Sequence, residues 1–262
     1  MLETIGHLRR SGLFDELPAE RLQRIGWYSG LREFAPHETI RAPSEHSNRV
    51  SVLVRGVAKI CYPITDGKEC ILTFVEPGGL FGDLALCDGA GHDEYVIAVS
   101  PCTVITIPVH EVRQLIADHP EVAMRLIDLV GGRRRRSETR LKSVLFQNNR
   151  ERLVHLLFEL VDQFGQRCGK GIRLRINLSH QELANMIGVT RESVTLLLGQ
   201  LRNEGCVEYG RRRLVLTDPA RLFASVKQVG RDTLFPGRSL SEASFAFTNH
   251  RERESEGAPL NV

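Results

Sequence analysis

Between Phe34 and Ile107 the apolar residues come in short runs separated by turn residues. Val50–Arg55 stops at Gly56, Val57–Tyr62 runs into Thr65-Asp66-Gly67-Lys68, and Ile71–Val75 precedes Pro77-Gly78-Gly79. Tyr95–Val99 and Thr103–Ile107 follow. Runs of this length bounded by Gly, Pro and Asp read as strands, and Asp66-Gly67 between two of them predicts a hairpin. Strands at this spacing argue for an all-β roll, barrel or sandwich. Residues 1–30 read as short helices and loops.

The period changes at Pro108. His110–Asp118 reads as a short helix, and Pro120 suits the first turn of a longer one reaching about Gln147. Along it Ile127, Val130, Arg134, Ser137, Leu141 and Val144 follow steps of 3, 4, 3, 4 and 3. That is a heptad seam with apolar ends and a polar middle. Two surfaces could cover it, the chain's own β domain or a second copy, and a homodimer is the favoured reading.

A second unit follows. Arg152–Phe164 reads as a helix, Gly165–Gly171 as a loop, and Ile172–Ile176 as a strand. Ser179 with Glu182 three residues on is a capping box, so a helix starts there. Leu183, Ala184 and Ile187 give it an apolar face, Gly188 stops it, and Thr190 caps another helix after a short turn. In that helix Val194, Leu197, Leu198 and Leu201 form a core stripe, and Gly205 ends it. Two short helices joined by a Gly-containing turn are a helix-turn-helix, which lays its second helix in the DNA major groove. The hairpin Cys206–Thr217 that follows carries Arg211, Arg212 and Arg213 at its tip, a basic wing suited to phosphates.

Off the stripe stand Arg191, Glu192, Thr195 and Leu196, the residues expected to read bases. Arginine pairs with guanine O6/N7, glutamate accepts from cytosine N4–H, and leucine touches a thymine methyl. For Leu196 extra core packing is the alternative. Ser179, His180, Thr190 and Arg211–Arg213 are expected on the DNA backbone.

At 262 residues the chain is long enough for about two domains. No apolar run approaches the roughly 18–20 residues of a membrane span, and the N-terminus lacks a secretory pattern, so a cytoplasmic location is expected. Six cysteines (61, 70, 87, 102, 168 and 206) include no Cys-x-x-Cys pair, which argues against a disulfide scaffold or zinc ribbon. The net charge of +3 hides a split: residues 1–132 hold 12 Lys/Arg against 18 Asp/Glu, residues 133–213 hold 17 against 8. A basic second half fits a polyanion partner or a solvated basic surface. There is no P-loop, G-x-S-x-G elbow, kinase set or dinucleotide fingerprint, so no catalytic residue is assigned and an enzyme is not expected.

Residues 10–220 resemble the cyclic-AMP receptor protein and FNR family of bacterial transcription regulators. The likeness rests on Phe81-Gly82-Asp83-Leu84-Ala85-Leu86, similar to the family's phosphate-binding cassette, and on the recognition-helix start Arg191-Glu192-Ser193-Val194. The resemblance implies an α+β fold: a jelly-roll-like β-roll over 1–119, a dimerisation helix over 120–149 and a winged helix-turn-helix over 150–220. Residues 221–262 read as a disordered tail. It also implies a homodimer on a palindromic operator and contact with RNA polymerase, where relatives use the region of 165–171.

The departures bear on the effector. Cyclic-nucleotide-binding members carry an Arg-Ser or Arg-Thr pair after the cassette; here that place reads His92-Asp93-Glu94. Carboxylates repel a phosphodiester, and the lost arginine removes its bidentate donor. The cassette acid is Asp83 instead of Glu, and Ser137-Glu138 stands where the cyclic-AMP receptor has a Thr-Ser pair. Control by cyclic AMP is therefore not expected. The alternative that the resemblance leaves is an effector-gated regulator sensing a small anionic metabolite, 2-oxoglutarate-like, or a cyclic nucleotide, in a pocket of Phe81, Gly82, Asp83, Leu84, His92, Asp93, Arg133, Arg134, Ser137 and Glu138. No cofactor or metal is expected. Leu196 replaces an arginine usual in these groups, which predicts a half-site that tolerates or prefers A·T there.

Overall fold

The computed structural model describes residues 2–9, 11–43, 48–64, 69–86, 94–210 and 213–225, in two compact units, Met1–Ser137 and Glu138–Val262. The first opens with helices α1 (Leu2–Arg9) and α2 (Ala19–Tyr28). Eight strands follow: β1 Gly30–Phe34, β2 Thr39–Arg41, β3 Arg49–Arg55, β4 Ala58–Pro63, β5 Glu69–Val75, β6 Leu80–Phe81, β7 Tyr95–Ala98 and β8 Cys102–Pro108. They pair antiparallel in two four-stranded sheets, β1-β8-β3-β6 and β2-β7-β4-β5.

The alternation along β3 and β8 explains the layers. Leu53, Val104 and Cys102 meet Ala58, Ile60, Val96 and Ala98 of the other sheet in a common core. Val50, Val52, Ile105 and Ile107 point the opposite way, onto Leu22, Ile25, Val112 and Leu115 of α2 and of α3 (Val109–Asp118). A sheet covered on both faces needs near-continuous apolar strands, which is why these runs do not alternate cleanly with polar residues. Helix α4 (Pro120–Phe146) begins by burying Val122 and Leu126 in the same helical layer.

The second unit is built around α5 (Asn149–Phe164), buried along most of its length and started by an Asn148–Glu151 capping box. Strands β9 (Gly165–Cys168) and β10 (Gly171–Leu174) lead to α6 (His180–Ile187) and α7 (Arg191–Asn203). The wing is β11 (Val207–Gly210) and β12 (Arg213–Leu216), and α8 (Pro219–Ala224) closes the unit. The sheet order is β11-β12-β10-β9. The architecture is therefore α+β, with a β-roll, a long helix and a winged helix-turn-helix.

Several expectations are corrected. Gly165–Gly171 is not a loop: Gly165–Cys168 pairs with Gly171–Leu174 as a hairpin. Chain order does not stop at 220, because Asp218 caps α8 through the Arg221 N–H, and Leu222 and Phe223 are buried. Asp followed by Pro at the first helical position is a start signal that the loss of apolar period concealed. Leu197 is only half-buried, so the stripe of α7 is Val194, Leu198 and Leu201. The Asp66-Gly67 turn, Cys87 and the tail beyond 225 lie outside the described residues.

Candidate nucleic-acid interface and effector site

Local chemistry sets the two reading helices. The Ser179 hydroxyl accepts from the Glu182 N–H at 3.2 Å, while Glu182 Oε2 accepts from the Ser179 N–H at 2.8 Å and from its hydroxyl at 2.7 Å. Gly188 ends α6 with φ 68°, a left-handed conformation that glycine adopts without steric cost. The Thr190 hydroxyl accepts from the Ser193 N–H at 3.2 Å and starts α7. Arg150 then clamps the far end of α7 through a bidentate pair with Glu204, at 2.8 and 2.7 Å. That pairing holds the Glu204 carboxyl below the usual carboxylate range.

With Val194, Leu198 and Leu201 buried, Arg191, Glu192, Thr195 and Leu196 face outward. Leu196 is 65% exposed, which excludes core packing and leaves an apolar residue on a polar face. Arg191 and Glu192 are exposed in the first turn of α7. The Thr195 hydroxyl is engaged within the chain: it donates to the Arg191 carbonyl at 2.9 Å and lies 2.7 Å from His180 Nδ1. Ser179 and His180 likewise make internal bonds. In the wing, Gly210 pairs with Arg213, which is exposed; Arg211 and Arg212, between them, lie outside the described residues.

In the β-roll the candidate effector residues separate into groups. Phe81 is buried in the sandwich core, Gly82 has φ 72°, and Leu84 is exposed. Arg133 of α4 reaches back to this segment, pairing with Asp83 Oδ1 at 2.9 Å and donating to the Leu80 carbonyl. Arg134, Ser137 and Glu138 are exposed on α4. His92 and Asp93 lie outside the described residues. One member, Arg41, was missed by the sequence reading, which named Glu94 only within His92-Asp93-Glu94. Arg41, buried, packs its guanidinium against Gly82 and donates to the Arg49 carbonyl at 3.3 Å; Glu94 is buried nearby. Burial first and then the Asp83 charge push the Glu94 carboxyl up, while Arg133 and Arg41 pull it down.

On the seam Ile127, Val130, Leu141 and Val144 are 59, 42, 60 and 41% exposed, and Arg134 and Ser137 are exposed between them. Among the described residues no helix is long and apolar enough to cross a membrane.

A roll of two antiparallel sheets, a long helix with an open heptad stripe and a winged helix-turn-helix together define an effector-domain-plus-reader transcription regulator. Residues 31–119 match the cyclic nucleotide-binding domain and residues 151–224 the Crp-like helix-turn-helix domain. The chain is 29% identical over 194 residues to a global nitrogen regulator of Nostoc sp., covering 73% of this chain and 87% of that protein. It is 25% identical over 215 residues to a CRP-like cAMP-activated global transcriptional regulator of Mycobacterium tuberculosis, covering 82% and 96%. A solved structure of a CRP-family transcriptional regulator from Thermus thermophilus superimposes with a TM-score of 0.63 at 28% identity, over 74% of this chain and 95% of that one. The chain belongs to the CRP/FNR family of transcription regulators and carries that family's helix-turn-helix DNA-binding domain.

Proposed function

We propose that the protein binds a palindromic operator as a homodimer in the cytoplasm, without cyclic AMP. The observation that carries this is the outward face of α7, where Arg191, Glu192 and the exposed Leu196 stand together on a helix capped at its start and clamped at its end. Arg191 and Glu192 read a G·C pair, and Leu196 contacts a thymine methyl. Thr190 and Arg211–Arg213 take phosphates. The stripe from Ile127 to Val144 joins the protomers, placing half-sites about one helical turn apart. The hairpin at 165–171 is the surface offered to RNA polymerase, and the protein has no catalytic role.

The Arg133–Asp83 pair supports effector independence, because it places on the cassette carboxylate a guanidinium that belongs to the chain itself. A second reading is favoured by the buried Arg41 guanidinium beside Gly82: a small anionic metabolite held there gates DNA binding. Selection of DNA sites by the full-length protein without ligand, followed by mobility shift at fixed salt, tests the main reading. A nanomolar palindrome is the expected outcome. Binding that appears only with added cyclic AMP would refute it, and binding only with 2-oxoglutarate would establish the second reading.

A further inference from the structure

The α6 histidine was expected to face the DNA backbone, yet its ring is turned into the reader. The Thr195 hydroxyl has one hydrogen, and at 2.9 Å it goes to the Arg191 carbonyl. The 2.7 Å contact between Thr195 Oγ1 and His180 Nδ1 therefore carries the imidazole's own proton, which assigns the Nδ1–H form. On its other side the ring lies against Tyr209 of β11, centroids 4.5 Å apart, and the Tyr209 hydroxyl donates to the Leu178 carbonyl at 2.9 Å. Nε2 is buried without a hydrogen-bond partner among the described residues. A second ring proton there would be unsatisfied and would face the Arg191 charge, and burial followed by that charge lowers the His180 pKa.

We infer that His180 and Thr195 form a positioning pair, which fixes the turn of α7 that carries Arg191 relative to α6 and the wing, and so sets base discrimination without touching DNA. The chain of contacts runs from the Arg191 carbonyl through Thr195 and the His180 ring to Tyr209, joining the reading turn, the first helix and the wing strand. A base-reading arginine needs its origin fixed to well under an ångström for bidentate pairing, and a single-turn hydrogen bond to its carbonyl supplies that constraint. Thr195 is thereby reassigned from base reader to positioning residue, and His180 from backbone contact to the same task. The inference rests on the proposed reading of DNA by α7.

The test uses the full-length protein. In the unliganded state, nitrogen-15 NMR of the imidazole at pH 7 is expected to show a neutral Nδ1–H ring for His180. An Nε2–H or doubly protonated ring would overturn the inference with no DNA present. On the selected operator, His180→Ala and Thr195→Val are each expected to lower discrimination against a mismatch at the Arg191-read pair about tenfold. The double variant should be no worse than either single one, and the slope of log K against log salt should not change. Multiplying effects in the double variant, or a salt slope reduced by about one in His180→Ala with discrimination intact, would overturn the inference and leave α7 as the reader. If the unaltered protein selects no site, the reading beneath it falls as well. Thr195→Val, nearly isosteric at an exposed position, guards against loss of folding in the histidine variant.

Discussion

Acidification should loosen the helix on which the reader is built, through one buried ring. His155 of α5 is buried beside Arg140 and Glu159, which pair at 2.6 Å, and its Nε2 has no hydrogen-bond partner among the described residues. Arg140, Arg152 and Glu159 are the charged groups lining the small cavity of about 10 Å³ next to it. Burial first and the Arg140 charge second bring its pKa down to about 4 from an ordinary 6.5. The unfolded chain therefore takes up the proton first as pH falls, so stability is complete above about 6.5 and drains away toward 4. A gap of that size corresponds to about 3 kcal/mol over the whole window, of which about 2 kcal/mol is lost by pH 5. Hydrogen exchange over Asn149–Phe164, corrected for intrinsic rates, should show protection about twentyfold lower at pH 5 than at pH 7. His155→Leu fills the site with an apolar side chain and should remove most of that difference. An equal acid response in the leucine variant, or a His155 ring that titrates near 6.5 by NMR, would refute the reasoning.

Three further outcomes follow from the geometry. Leu196→Arg should add a guanine requirement to each half-site, with discrimination of about tenfold or more at that base in a repeated selection. Leu141→Glu places a charge on the exposed stripe, and sedimentation should show a monomer whose operator affinity falls by orders of magnitude; a stable dimer would place the interface elsewhere. Gly188→Val forces a β-branched residue into the left-handed region between α6 and α7, costing about 1–2 kcal/mol in a denaturant titration of the reader.

What was legible in the sequence is local. The Ser179–Glu182 box, the Gly188 stop, the Thr190 cap and the Val194–Leu201 stripe each depend on residues within one or two turns, and all were readable as pattern. The pattern also flagged Leu196 as out of place, although only its exposure decided between groove and core. What escaped is short or non-local. Strands β2 and β6 have three and two residues, too few for a period. The β9–β10 hairpin is largely exposed, so no apolar alternation marks it. Arg133 meets Asp83 across 50 positions and His180 meets Thr195 across 15, distances at which spacing carries no information. Arg41 looks like a surface residue in the sequence and is buried against Gly82 only once strands far apart in the chain have paired.

The pairing order of the β-roll has a consequence for how the chain is made. β1 lies against β8, and Gly30 is registered with Thr106. β2 likewise pairs with β7, so neither sheet has its full set of strands until most of the first unit has left the ribosome. Closing such long loops is costly and slow, and meanwhile the apolar faces of β3 and β4 stand open to wrong partners. The reader is made of neighbours in sequence, with α6 against α7 and β11 against β12, and should fold faster once synthesised. Nascent chains from which Pro108 has not yet emerged would thus be held by chaperones, whereas those from which Ala224 has emerged would already contain a finished reader.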